Sequence, residues 1–157
     1  MVVTGMSYSV IPIESRLVND VWWQVRRIVE KGLERDDRYQ AEDILVSLQK
    51  KEMQLWVIQR DKQTIAVVIT EITIYPRVKE CTVALLAGED FKNWNDYAFA
   101  VIGHWAHDAG CKRARMFGRL GWTKVLNNDW KQQQVVMTID LQESGHGWQF
   151  RRQSSTK

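Results

Sequence analysis

The sequence predicts a mixed α/β domain in which an antiparallel β-meander is covered by helices on both faces. Three observations predict it. The apolar residues change period along the chain, from helical to β and back; the β-branched middle carries apolar residues at both parities; and Gly32, Pro76, Gly88 and Gly110 fall where the period changes. The order read from these patterns is β-α-α-β-β-β-α-β-α-β.

Tyr8 to Ile13 (YSVIPI) is β-rich, and Pro12 places this strand at an edge or a strand end. Val18, Val21, Trp22, Val25, Ile28, Val29 and Leu33 follow at i, i+3, i+4, i+7 spacing and predict a helix closed at Gly32. Beyond the charged loop Glu34 to Arg38, the residues Ala41, Ile44, Leu45 and Leu48 predict a shorter helix. Glu42 and Asp43 lie in its first turn, where the helix dipole favours acids. MQLWVIQ (Met53 to Gln59), TIAVVITEITIY (Thr64 to Tyr75) and KECTVALLA (Lys79 to Ala87) predict three strands, separated by the polar turn Arg60 to Gln63 and by Pro76. Trp94, Tyr97, Ala98, Val101, Ile102, Trp105 and Ala109 form one helical stripe ending at Gly110. Lys112 to Phe117 alternates as a strand, Trp122 to Asn127 suits a short helix, and Gln133 to Leu141 predicts a last strand.

The chain has 157 residues, 45% hydrophobic and 26% charged, which suits one folded domain and excludes disorder as the main state. No apolar run approaches a membrane span, and MVVTGMSYSV lacks the order of a secretory signal, so a cytoplasmic protein is expected. Cys81 and Cys111 are too few for a disulfide framework or a self-sufficient zinc site. The formal charge is +3, and Arg151, Arg152 and Lys157 account for all of it. A neutral body, 1–143, carrying a basic tail, 144–157, is the expected organisation. Half of the 16 aromatic residues are Trp, more than one small core readily buries.

The element order, with GRLGW (Gly118 to Trp122), Val125-Leu126, Trp130, MQLWVI and the acidic LLAGED, resembles the GNAT acetyltransferase family over roughly residues 7 to 141. In particular it resembles small GNAT-like proteins of tailed bacteriophages. The resemblance implies a three-layer fold whose mixed sheet splays between its fourth and fifth strands, where active members hold acyl-CoA. It also implies that an Arg/Gln-x-x-Gly-x-Gly/Ala loop leaving the fourth strand binds pyrophosphate. Glycines there let the backbone approach, and a helix N-terminus favours anions. The segment here is Leu86-Ala87-Gly88-Glu89-Asp90-Phe91-Lys92, which keeps Gly88 alone of the glycines. Glu89 and Asp90 are expected either to repel phosphate, offset in part by Lys92, or to cap a helix. The resemblance implies a proton donor, often Tyr, where this chain has Val125, Leu126 and Asn127. Glu71 and Glu80 are the candidate bases. Glu71 shares the parity of Val67 and Ile69 and lies either partly desolvated or hydrated where the sheet splays.

Other constellations are weaker. His104, His107, Asp108 and Cys111 suggest a metal, but His107 points away from the stripe that His104 and Asp108 flank, so a solvated face and no metal are expected. His146 has no partner in its sequence neighbourhood. The acid-free stretch Lys112, Arg113, Arg115, Arg119 and Lys124 offers a phosphate patch, though alternation puts Arg113 and Arg115 on one face and Lys112 on the other. Trp22, Trp94 and Trp105 fall on core stripes. Trp23, Trp122, Trp130 and Trp148 do not, and with Arg113, Arg115, Arg119, Arg151 and Arg152 they form the candidate interface, since Trp is enriched at interface centres.

The expectation is a GNAT-fold protein that has lost much of the acetyl-CoA machinery, takes no cofactor and binds other proteins. It would be a phage virion or assembly component, or a host-interaction factor, in the bacterial cytoplasm or the virion. The alternative is an active acetyl-CoA-dependent N-acetyltransferase using Glu71 or Glu80 as base, with Leu86, Gly88 and Lys92 toward acetyl-CoA. A nucleic-acid-binding accessory protein is the second alternative.

Overall fold

The computed structural model describes residues 7–118, 124–144 and 147–150. The chain separates into two units, 1–127 and 128–157. In the first unit, strands β1 (Tyr8–Ile13), β2 (Gln54–Arg60), β3 (Gln63–Ile74), β4 (Lys79–Gly88) and β5 (Arg113–Met116) form one sheet in that spatial order. The pairs are antiparallel from β1 to β4, and β4 with β5 is parallel. The parallel pair requires a long crossover, which helix α3 (Phe91–Asp108) supplies.

Helices α1 (Val18–Gly32) and α2 (Ala41–Gln49) cover one face of the sheet, and α3 covers the other. The expected α1 stripe is the one that packs: Val18, Val25 and Val29 are buried against Leu55, Val57, Val67, Ile69 and Leu85. At the start of α2, the Gln40 backbone N–H donates to Asp43 Oδ2 at 2.9 Å and satisfies one of the orphan donors of that end. Arg26 of α1 reaches Glu42 of α2 at 2.6 Å. On the opposite face Trp94, Ala98, Ile102 and Ala106 of α3 pack on Trp56, Ile58, Val68, Cys81 and Val83. Trp56 Nε1 donates to Thr70 Oγ1 at 3.0 Å, and the Trp105 ring meets Trp56 edge-on at 5.2 Å, so this indole is buried without an unpaired N–H.

Two register shifts interrupt the meander. Between β2 and β3 the pairing steps from Ile58↔Ala66 to Gln59↔Thr64, leaving Ile65 without a partner. Between β3 and β4 it steps from Ile69↔Leu85 to Thr70↔Val83, so Ala84 bulges out.

The end of the chain departs from the expected pattern. Of the predicted helix Trp122 to Asn127, 122–123 lie outside the described residues, and 124–127 make only a tight turn. Gln133 to Leu141 does not form a strand. Residues 131–140 are without ladder pairing, and their apolar side chains are exposed, Met137 at 90%. β-Branched composition favours a strand only where a partner edge meets it. The pairing comes later, in a small hairpin of β6 (Leu141–Ser144) and β7 (Gly147–Phe150). The segment beyond Ser144, expected as a basic tail, therefore contains a strand, for which Trp148 and Phe150 give the composition. Among the described residues, no helix is long and apolar enough to cross a membrane.

Candidate functional site

The sheet forks between β4 and β5. Glu80 to Val83 pair with Arg113 to Met116, and there β5 ends. From the bulged Ala84 to Gly88, the β5 side of β4 has no strand partner among the described residues. An unpaired edge of this kind carries free N–H and C=O groups. It leads directly onto the N-terminus of α3.

The connection between β4 and α3 is closely built. Gly88 has φ +129°, and a Cβ there would lie 2.4 Å from Ala66 Cα, so only glycine fits. The Glu89 N–H donates to the Ile65 carbonyl at 3.1 Å, and Trp94 Nε1 donates to the Glu89 carbonyl at 2.7 Å. Asp90, left-handed at φ 60°, occupies the N-cap position without capping. Its Oδ2 accepts from Arg60 Nη1 at 2.5 Å and from the Tyr8 hydroxyl at 3.0 Å. Glu89 lies 3.8 Å from the same guanidinium. The Arg60 hydrogen bond, then that of Tyr8, holds the Asp90 carboxyl below its ordinary pKa. Desolvation, then the bond to Asp90, raises the Tyr8 phenol.

One expectation is corrected by this geometry and another is softened. Asp90 does not use its carboxylate as a helix cap, because Arg60 and Tyr8 offer it a charged donor and a hydroxyl. The anion-repelling pair is offset in part, since one guanidinium, Arg60, distant in sequence, faces both acids. Of the residues expected toward acetyl-CoA, Leu86 packs on the α3-side core, Gly88 forms the turn, and Lys92 is exposed in the first turn of α3.

Glu80 and Glu71 are separated in role. Glu80, 5% exposed, is the carboxylate between two guanidiniums: Arg113 binds Oε2, and Arg115 lies 3.2 Å from Oε1. Arg113, and then Arg115 against the effect of burial, holds its pKa down. A carboxylate so clamped is a poor base. Arg113 and Arg115 share a face, as alternation predicts, and Arg115 also lies over the Phe117 ring at 5.3 Å.

Glu71, opposite Thr82, is half-buried and has no hydrogen-bond or ion-pair partner among the described residues. It lines an open cleft of about 570 Å³, with Glu14, Arg16 and Glu52 around the rim and Met53 and Trp105 among its apolar walls. This cleft adjoins the bulge, because the next β3–β4 pair beyond Glu71↔Thr82 is Thr70↔Val83. Val125 and Leu126 are half-buried, and Asn127 Nδ2 donates to Asp96 Oδ1 at 2.9 Å. None of the three supplies a proton.

The interface candidates are divided between the two units. Trp23 is 76% exposed on α1, while Trp130 is half-buried in the second unit. Trp148 lies in β7 opposite Glu143. Arg119, Trp122, Arg151 and Arg152 lie outside the described residues. His104 pairs with Asp108 at 3.4 Å on the exposed side of α3, and no three His, Cys, Asp or Glu side chains group as a metal would need among the described residues. Sequence reasoning missed Tyr8 and Arg60, whose only signal was polar character at the outer ends of adjacent strands.

A forked five-stranded mixed sheet, bulged in its fourth strand and covered by two helices on one face and one on the other, is the fold of the GNAT acetyltransferases. An aminoglycoside acetyltransferase from an uncultured soil metagenomic sample, in complex with sisomicin, superposes with TM-score 0.62 at 11% identity, over 86% of this chain and 97% of that one. An aminoglycoside N-acetyltransferase in complex with CoA gives 0.61 at 9% identity over 89% and 99%. A ribosomal-protein-alanine N-acetyltransferase from Brucella melitensis biovar Abortus 2308 gives 0.57 at 10% identity over 84% and 100%. No family model matches the chain, and no curated protein matches it.

Proposed function

We propose that this chain is an acyl-CoA-dependent N-acyltransferase whose acceptor amine enters the cleft at Glu71. The observation that carries the reading is the edge of β4 from Ala84 to Gly88, unpaired among the described residues and running onto a helix N-terminus whose two acids are offset in part by Arg60. The residues present fit an anionic, extended group. Gly88 brings the backbone close, the α3 dipole favours phosphate, and the unpaired edge offers hydrogen bonds along the strand.

Acetyl-CoA would supply an activated acyl thioester. Glu71, lining the cleft and without a partner among the described residues, takes the proton of the attacking amine directly or through one water. A backbone N–H of β4 near the Ala84 bulge would hold the thioester carbonyl that acetyl-CoA would supply and polarise it toward the amine. With Val125, Leu126 and Asn127 offering no acid, the leaving thiolate takes its proton from solvent.

Calorimetry with acetyl-CoA tests the reading. Micromolar, saturable binding is expected, and the absence of binding at millimolar acetyl-CoA would overturn it.

A second reading is favoured by the exposure of Trp23 and by the missing proton donor. On this view the fold is kept for protein contacts, in a virion or assembly component or host-interaction factor of the phage type that the sequence resembles. Co-sedimentation with assembled particles, lost in Trp23→Ala, would support it.

A further inference from the structure

At the end of β4 remote from Gly88, the turn between β3 and β4 meets the C-terminus of α3. Tyr75, Arg77, Val78, Lys79, Gly110 and Lys112 line an open corner of about 430 Å³ there. Among the described residues lining it, three of the six are cations and none is an acid. Local hydrogen bonds fix the corner: the Tyr75 N–H donates to the Val78 carbonyl at 2.8 Å, and the Lys112 N–H to the Lys79 carbonyl at 2.8 Å. Lys79 Nζ is held by the Ala109 carbonyl at 3.1 Å, where a cation complements the helix C-terminus, and Gly110, at φ +90°, keeps the turn beside it open. Arg77 and Lys112 are exposed, and neither has an ion-pair partner among the described residues. Arg113, the next residue, turns to the other face and is spent on Glu80. The exposed Tyr75 ring stands at the same corner.

We infer that this corner binds a phosphate-bearing ligand, with Arg77, Lys79 and Lys112 neutralising the phosphate and Tyr75 offering its ring to an attached base. Arg77 and Lys112, without ion-pair partners among the described residues, distinguish it from an ordinary salt-bridged surface, and the aromatic wall distinguishes it from a simple counter-ion patch. It is separate from the β4–α3 loop, since the ten residues of β4 span roughly 30 Å. It stands whether or not the chain turns over acyl-CoA.

The test uses the full chain and a short fluorescein-labelled oligothymidylate, read by anisotropy. Binding should weaken with salt at a log–log slope of about −2, as three cations on a single strand give. In the Arg77→Ala/Lys112→Ala double variant the affinity should fall at least about tenfold and the slope shrink to about −0.7. Tyr75→Ala should weaken binding at unchanged slope. Displacement by inorganic pyrophosphate would identify a free phosphate group as sufficient, and failure to displace would assign the site to the strand. No saturable binding at low salt, or a double variant with unaltered affinity and slope, would overturn the inference. Unchanged acetyl-CoA calorimetry in the double variant keeps this outcome distinct from the loop at Gly88.

Discussion

Arg60, the last residue of β2, donates to the carboxylate of Asp90 at 2.5 Å, so the acid at the start of α3 is neutralised from two strands away. Removing that guanidinium should expose the negative charge that the loop otherwise hides. In Arg60→Met, acetyl-CoA affinity is expected to fall at least about tenfold, as losing one charge-assisted partner does. The folded pKa of Asp90 lies below the ordinary 3.8, so its contribution to stability is full above that value and lost as pH falls through the folded one. Arg60→Met should therefore unfold at higher pH on acid titration, with its deficit constant above about pH 5. An acid midpoint identical to wild type would remove the clamp from the account.

Glu71→Gln and Glu80→Gln should separate cleanly. The first is expected to lower kcat by about 10²–10⁴-fold with no change in thermal midpoint, as loss of a general base does. The second leaves Arg113 and Arg115 facing each other without their shared carboxylate, and should lower the thermal midpoint. Turnover unchanged in Glu71→Gln would end its role as base.

Gly88→Ala should be among the most damaging small substitutions in the chain. The new methyl would meet Ala66 Cα, Ala66 Cβ and the Ile65 carbonyl, each at 2.4 Å, at a φ that L residues rarely adopt. Overpacking and backbone strain together predict a loss of about 2–5 kcal/mol in urea denaturation. A variant within 0.5 kcal/mol of wild type on the order of surface changes would contradict this packing.

Cys81 lies fully buried under α3, and desolvation pushes its thiol up to about 11, with Cys111 nearby adding to the shift. The native protein should be inert to thiol-specific disulfide reagents at pH 8, reacting only at the rate of opening, whereas both thiols should titrate in denaturant. Because the unfolded thiol ionises first, stability should decline as pH rises above about 9 toward the folded value. Rapid native labelling of Cys81 would place it outside the core.

What was legible in the sequence was what neighbours along the chain decide. The α1 stripe from Val18 to Val29, the strand ends at Pro76 and Gly88, and the stop at Gly110 depend on local period and local backbone freedom, and they stand where expected. The site was legible only in part. Glu89 and Asp90 look like a repulsive pair when charges are counted along the chain, yet Tyr8 and Arg60, on β1 and β2, face Asp90 in space. Likewise QVVMTIDL has the composition of a strand, but composition does not supply a ladder, and its Val, Met and Ile side chains stay in water. Pairing partners distant in sequence decide both cases.

The bulge at Ala84 has a consequence for how this strand is written. Skip that residue, and Thr82, Val83, Leu85 and Leu86 alternate faces without interruption, with Thr70↔Val83 and Ile69↔Leu85 becoming consecutive rungs. Ala84 is thus a single-letter insertion in an otherwise regular frame, and deleting it should leave the sheet folded, indeed more regular, while removing the irregularity at which β4 parts from β5. A chain lacking Ala84 would test the proposed acyl transfer by erasing rather than replacing a residue.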